Sequence, residues 1–427
     1  MKKILTCTTL LLATMFCAAQ KTILHCGRLV DVKTEQLLTE RSIFVENGKI
    51  TGVVEGYAPA GPDDQLIDLK DRTVMPGLID MHVHLVTESS RSGTLEKYTL
   101  NPADHAYRSV LHAERTLLAG FTTVRDLGGN NGVNISLRNA INKNLIKGPR
   151  VYTAGKSIAT TGGHADPTNG YRRDLTTDPG PEDGVVNGPE ECAKAVRQRY
   201  KEGSDLIKIT ASGGVLSMAK SADNPQFTED EVRAIVATAK DYGFRVAAHA
   251  HGAEGMKRAI RAGVNSIEHG TYMDDEAIQL FKKHGTYLVP TITAGKSTAD
   301  SAAIPGYYPE MVTAKALVVG PHIQNTFAKA YQAGVKIAFG TDAGVFPHGK
   351  NWIEFVYMHE AGMPALAAIK AATWYAADLL GTTDIMGAIE TGKLADIIAV
   401  EGNPVDDIYS MGRVKFVMKG GVVYLRD

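Results

Sequence analysis

The sequence predicts an α/β chain: a (β/α)8 TIM barrel over residues 76–384, with a small β-sandwich domain built from residues 20–75 and 385–427. Three observations predict it. Through the middle of the chain, short apolar runs alternate with stretches of helical periodicity, the pattern of a parallel sheet connected by helices. The runs number eight, as the closed barrel requires. Both ends carry short alternating strands and turns instead, so one small domain drawn from the two ends is expected.

From Thr22 to about Val74 the strand texture is TILHCGRLVDV, SIFVENGKITGVV and QLIDLKDRTV, with Asn47-Gly48 as a hairpin turn. The barrel runs are LIDMHVHL (78–85), FTTVRDLG (121–128), RVYTAG (150–155), DLIKITAS (205–212), RVAAHA (245–250), SIEHG (266–270), YLVPTIT (287–293) and KIAFGTDAG (336–344). Helical stretches such as PEECAKAVRQRYKEG and AEGMKRAIRAG lie between them and end in glycine, as helix C-termini do. An open doubly wound sheet would call for a glycine-rich phosphate loop after its first strand. TESSRSG follows LIDMHVHL instead. The end of the chain, ADIIAVEGNP and VKFVMKGGVVYL, resumes the strand texture.

The 427 residues carry 46 basic and 47 acidic side chains, a balance that gives no sign of a nucleic-acid or other polyanionic partner. Residues 1–19 read as a secretory signal: Met1-Lys2-Lys3, an uncharged apolar stretch to Phe16, then Cys17-Ala18-Ala19 before a cut ahead of Gln20. The stretch is too short to span a membrane comfortably, and no other segment reads as a span. A secreted or periplasmic protein is expected. A lipid anchor on Cys17 is disfavoured because Phe16 stands where a small residue belongs. Cys26 and Cys192 then remain, and two distant cysteines make no disulfide framework.

Residues two apart on a strand face the same way, so His82 and His84 share a face of LIDMHVHL. Two core histidines would be the bland reading. The other runs argue against it. A barrel gathers its chemistry at the C-terminal ends of its strands, and there stand Lys208, His249, His269 and Asp342. Imidazole and carboxylate suit zinc and similar divalent ions. Four histidines and an aspartate exceed one tetrahedral centre, which argues for two metals. Lys208 sits between apolar neighbours, and burial favours its neutral amine. A partner carboxylate would be the structural reading. The alternative is addition of carbon dioxide, giving an anionic carbamate that bridges two cations.

The motifs VMPGLIDMHVHL, DLIKITASGGVLS, AAHAHG, SIEHG, FGTDAG and GAIETGKLADIIAV resemble the amidohydrolase superfamily, in its imidazolonepropionase-like and prolidase-like branch. The resemblance covers nearly everything after residue 19. It implies His82, His84 and Asp342 on a buried metal, His249 and His269 on a more exposed one, and N6-carboxylated Lys208 bridging them. Two divalent ions are therefore expected, zinc first, although such ligands also accept manganese, cobalt or iron. A metal-bridging hydroxide is expected to attack, with Asp342 as general base and then acid.

The implied reaction is hydrolysis of an amide in a small carboxylate-bearing substrate, an Xaa-Pro-like dipeptide or an N-acyl amino acid. His164, on the loop TGGHAD, is a candidate for the substrate carboxylate by the same resemblance. His251, two residues past His249, is another, and His348 a candidate pocket residue. Asp126 reads as structural. Glu268 should face away from the mouth as a buried hydrogen-bonding residue. Arg172 and Arg173 read as solvated loop charges. His25, His105, His112, His284, His322 and His359 carry no pattern. Rival readings are a mononuclear imidazolonepropionase- or deaminase-like enzyme, which lacks the strand-four lysine, a lactonase or phosphotriesterase, and a non-enzymatic binding protein that would have lost ligands. The sequence leaves a homo-oligomer open.

Overall fold

The structure is a computed structural model and describes residues 21–427. The signal segment read at 1–19 lies outside the described residues. The first strands are β1 (Thr22–Asp31), β2 (Gln36–Glu46), β3 (Lys49–Glu55) and β4 (Gln65–Pro76). Asn47 (φ 51°) and Gly48 (φ 75°) both turn left-handed between β2 and β3, the geometry a two-residue hairpin needs. At the other end come β12 (Ile397–Glu401), β13 (Val414–Lys419) and β14 (Val422–Arg426). They join the first four in one sheet of order β14-β13-β12-β4-β1-β2-β3. The seam pairs Ile397 with Pro76 and Ile398 with Met75, so the two chain ends form one domain.

That sheet curls back on itself. Ile50 N–H donates to Lys393 O at 2.9 Å and Ala395 N–H to Gly48 O at 2.9 Å, bringing β3 against the residues ahead of β12. Leu24, Ile43, Ile67, Ile397 and Phe416 fill the space enclosed. This is how a single hydrogen-bonded sheet produces the expected sandwich.

The barrel comprises β5 (Leu78–Val83), β6 (Phe121–Asp126), β7 (Arg150–Thr153), β8 (Ile207–Thr210), β9 (Val246–Ala250), β10 (Ser266–His269) and β11 (Tyr287–Val289). Parallel ladders give β5-β6-β7 and β8-β9-β10-β11. A bridge between Ile158 and Ile209 joins the two groups.

The expected eighth strand differs from expectation. Residues 336–344 form isolated parallel bridges, Ile337 to Leu288 and Ala343 to Val83, rather than a continuous ladder. The segment still closes the barrel: Ala338 N–H donates to Leu288 O (3.0 Å), and Met81 N–H to Phe339 O (2.9 Å). Gly340 explains the tight passage, since a Cβ there would lie 2.3 Å from Val289 Cγ1 and 3.0 Å from the His82 nitrogen.

Helices cover the outside. The helix Gly188–Glu202 stops at Gly203 (φ 90°) and Ala253–Ala262 at Gly263 (φ 98°). The helix Glu229–Asp241 begins with a reciprocal cap, Thr228 Oγ1 accepting from Glu231 N–H and Glu231 Oε2 from Thr228 N–H. Cys26 and Cys192 are buried and unpaired. Among the described residues no helix is long and apolar enough to cross a membrane.

Candidate metal centre

The strand β5 is buried along its whole length, and pleating puts His82 and His84 side by side, ring centroids 5.3 Å apart. Their tautomers follow from what the far nitrogens touch. His82 Nδ1 meets Glu268 Oε2 at 3.0 Å, and His84 Nδ1 meets the Gly128 carbonyl at 2.8 Å. The Gly128 carbonyl can only accept, so His84 Nδ1 carries the hydrogen and its Nε2 presents a lone pair; the approach of the Glu268 carboxylate to His82 Nδ1 lacks hydrogen-bond geometry but favours the same tautomer electrostatically. Both Nε2 atoms point at Asp342 Oδ1, at 3.4 and 3.3 Å, and that oxygen accepts no hydrogen bond. Three lone pairs converge with no proton among them. A cation stabilises that arrangement, and little else does.

A second convergence lies across the barrel. His249, His251 and His269 bring one ring nitrogen each within 4.8 Å of one another, and two ring nitrogens and a carboxylate oxygen of His82, His84 and Asp342 meet the same limit. His249 Nε2 is held by the Gly213 carbonyl at 2.9 Å, which frees its Nδ1. His251 Nδ1 meets Thr271 Oγ1 at 2.8 Å, and His269 Nδ1 meets Thr291 Oγ1 at 2.7 Å. Burial, followed by neighbouring cationic groups, pushes His82, His249 and His269 well below the ordinary imidazole range. Neutral imidazole is the form that ligates. Both donor sets therefore fit divalent metal ions.

Lys208 lines the same cavity. Burial lowers its amine to about 8, against the pull of Glu268 and Asp342. Lys208 shares that lining with all the residues of both clusters, and its charge helps to depress His82, His249 and His269. Burial raises Asp342 to about 6.

Backbone strain marks the same rim. His269 (φ 73°), Thr291 (φ 53°) and Asp342 (φ 59°) are left-handed non-glycine residues at strand ends, a conformation that costs roughly 1–2 kcal/mol each. It breaks the strict alternation of the strand. Glu268 was expected to face away from the mouth. Glu268 is the buried hydrogen-bonding residue expected, but it points inward, on the face it shares with Ser266, whose hydroxyl donates to its Oε1 at 2.6 Å; the left-handed turn at His269 is what brings the next side chain to the same mouth. Arg125 completes the floor, donating to Glu268 Oε1 at 2.8 Å and to the Met81 carbonyl at 2.6 Å.

The remaining candidates separate. His164 lines the cavity with its ring stacked on His249 at 4.4 Å, and burial beside other histidines lowers it to about 3. It is a neutral ring that offers one donor and one acceptor. His251 lines the cavity too, but as a member of a three-histidine cluster. His348, a candidate pocket residue, stands behind the cavity. It is not among the cavity's lining residues; its Nε2 turns to the Thr87 carbonyl at 3.1 Å and its ring stacks on His112 at 4.6 Å. Arg172 pairs with Asp174 on the surface. Asp126 is structural, accepting from Leu85 N–H at 2.9 Å and Asn134 Nδ2 at 2.9 Å.

Several supporting residues escaped the sequence reading. Asp80 accepts from His82 N–H (3.0 Å), Thr341 Oγ1 (2.7 Å) and Asn351 Nδ2 (2.8 Å), tying the His82 strand to the residue before Asp342. A polar residue inside LIDMHVHL was the available signal. Thr210 lines the cavity with a buried hydroxyl that has no partner. It stands two residues past Lys208, a same-face spacing.

The sequence profile of the Amidohydrolase family matches residues 73–424. Ochratoxinase of Aspergillus niger is 32% identical over 436 residues, covering 95% of this chain and 87% of that protein. The crystal structure of a Xaa-Pro dipeptidase with methionine bound in its active site is 54% identical, with a TM-score of 0.93 over 95% of this chain and 100% of that one. A prolidase complexed with N-methylphosphonate-L-proline is 32% identical, with a TM-score of 0.87 over 96% and 100% of the two chains.

Proposed function

Because the chain belongs to the amidohydrolase family, we propose that this hydrolase cleaves the amide bond of small carboxylate-bearing substrates, Xaa-Pro-like dipeptides first and N-acyl amino acids second. The observation that carries the reading is the pair of ligand clusters sharing one cavity with Lys208. The similarity to a Xaa-Pro dipeptidase and to ochratoxinase supports the amide.

In this reading His82, His84 and Asp342 hold one divalent ion, zinc first, and His249 and His269 hold a second. Burial lowers the Lys208 amine to about 8, so a neutral fraction would be present near neutral pH; that amine would add to carbon dioxide with loss of one proton, and the carbamate would offer its oxygens to both ions. Ions bound there supply Lewis acidity for activating water and polarising the scissile carbonyl. Asp342 takes up the water's proton on its carboxylate and passes it to the leaving amine. His164 donates an N–H to the substrate carboxylate. His251 has a second reading, as a third nitrogen ligand beside His249 and His269, favoured by the cluster geometry. Secretion through residues 1–19 belongs to the same proposal.

The test is a library of dipeptides and N-acyl amino acids assayed with the metal-loaded mature protein. Turnover of none, together with deamination or lactone hydrolysis, sinks the reading.

A further inference from the structure

The cavity of about 320 Å³ above the clusters has unlike walls. Its charged groups lie on the floor, among the metal-site residues. One wall comes from the helix Glu310–Gln332. Ala316, Val319 and Ile323 recur at steps of three and four, one face of a helix. Each is at most 2% exposed, and all three line the cavity. Val215, from the loop after β8, and Ala294 continue the apolar surface. The loop is anchored to the helix. Lys315, next to Ala316, donates to the carbonyls of Gly214 (2.9 Å), Ser217 (2.6 Å) and Ala219 (2.7 Å). The lysine charge is thus spent on shaping the wall and does not face the cavity.

We propose that this wall is the enzyme's side-chain subsite, that it selects amino-acid-derived substrates with an uncharged, apolar side chain, and that Ala316 limits the size admitted. The inference rests on the amide-hydrolase reading above for the amino-acid character of the substrate. An apolar side chain leaves water against Val319 and Ile323, gaining about fourfold per buried methylene. A carboxylate or ammonium placed there loses its hydration and finds no counter-charge on that wall. A larger side chain at position 316 takes the space the substrate side chain needs.

The full chain, metal-loaded, is assayed for kcat/KM on Gly-Pro, Leu-Pro, Met-Pro, Asp-Pro and Lys-Pro. Binding of free leucine, methionine, aspartate and lysine is measured on the same protein by calorimetry. Leucine and methionine should exceed aspartate and lysine by about 100-fold in turnover and rank the same way in binding. Ala316→Phe should lower the Leu-Pro to Gly-Pro ratio by about tenfold or more. Should that variant fail to accumulate, Val319→Thr supplies the variant arm, with the ratio falling in the same direction. Turnover of all five dipeptides within about threefold of one another overturns the subsite and leaves the peptidase reading standing. Absence of dipeptide turnover with the apolar ranking kept in calorimetry upholds the subsite and sinks the peptidase reading. Absence of dipeptide turnover together with no ranking in calorimetry overturns both.

Discussion

Glu268 Oε2 stands 3.0 Å from His82 Nδ1, both residues fully buried, and Arg125 grips the other carboxylate oxygen at 2.8 Å. The carboxylate lies against that nitrogen outside hydrogen-bond geometry, so it favours a proton on Nδ1 through its field and supports the ring by packing. Arg125 offsets the cost of keeping that carboxylate charged. Glu268→Gln should therefore weaken metal binding by about 10–100-fold, measured by competition with a chelator. Glu268→Ala should also destabilise the fold by about 3–5 kcal/mol, because Arg125 is left as an unpaired buried charge. Unchanged metal affinity in Glu268→Gln would rule out the orienting role.

Lys208 separates the binuclear reading from its mononuclear rival. Among the described residues, Lys208 is the one lysine in the cavity's lining, so Lys208→Ala removes the amine able to form a carbamate there. Metal content should fall below two equivalents per chain and amide hydrolysis by about 100-fold or more. Mass spectrometry of the native wild type should show the added mass of one carbon dioxide. One equivalent of metal, the same in wild type and variant, would favour the mononuclear reading.

Gly214 gives room to His164. A Cβ at Gly214 would lie 2.2 Å from His164 Nδ1, so Gly214→Ala must displace the ring from its stack on His249. If His164 grips the substrate carboxylate, KM should rise by about tenfold, the loss of one to two kilocalories of binding. Metal content should not change. Loss of metal with no change in KM would place His164 in support of His249 instead.

Glu354 offers a pH test at a group that is not itself a ligand. It accepts from Ile292 N–H, Thr293 N–H and Thr293 Oγ1 at 2.8, 2.7 and 2.7 Å, and so secures the start of the helix that follows Thr291, the partner of His269. Burial outweighs those bonds and raises its carboxyl to about 7 from an ordinary 4.5. The fold thus prefers the protonated form. The corresponding stability is complete below about pH 4.5 and lost as pH rises through about 7, a change of about 3 kcal/mol. Comparing denaturant unfolding of wild type and Glu354→Gln across this range isolates the group. The difference between the two should shift by that amount, with wild type losing more as pH rises. Parallel pH profiles would exclude the assignment.

The periodicities were enough to determine the barrel, the domain shared by the chain ends, and the Asn47-Gly48 hairpin. Each depends on local sequence: alternation, helical spacing, and residues that tolerate a left-handed turn. The same alternation placed His82 and His84 on one face, and strand-end position singled out Lys208, His249, His269 and Asp342. What the sequence does not hold is the partner of each side chain. Alternation counted from His269 turned Glu268 outward; Glu268 in fact lies inward on the face of Ser266, and it is His269 that leaves the alternation, through a left-handed backbone that only the packed barrel sustains. His348 looked like a pocket residue from its loop, yet its ring is stacked on His112, a residue without any motif. Asp80 reaches Thr341 across 261 positions, and His251 joins His249 and His269 because two strands end at the same height. Period and residue type are properties of neighbours in sequence. The orientation of an imidazole is set by acceptors from other strands, and those meet only when the barrel closes.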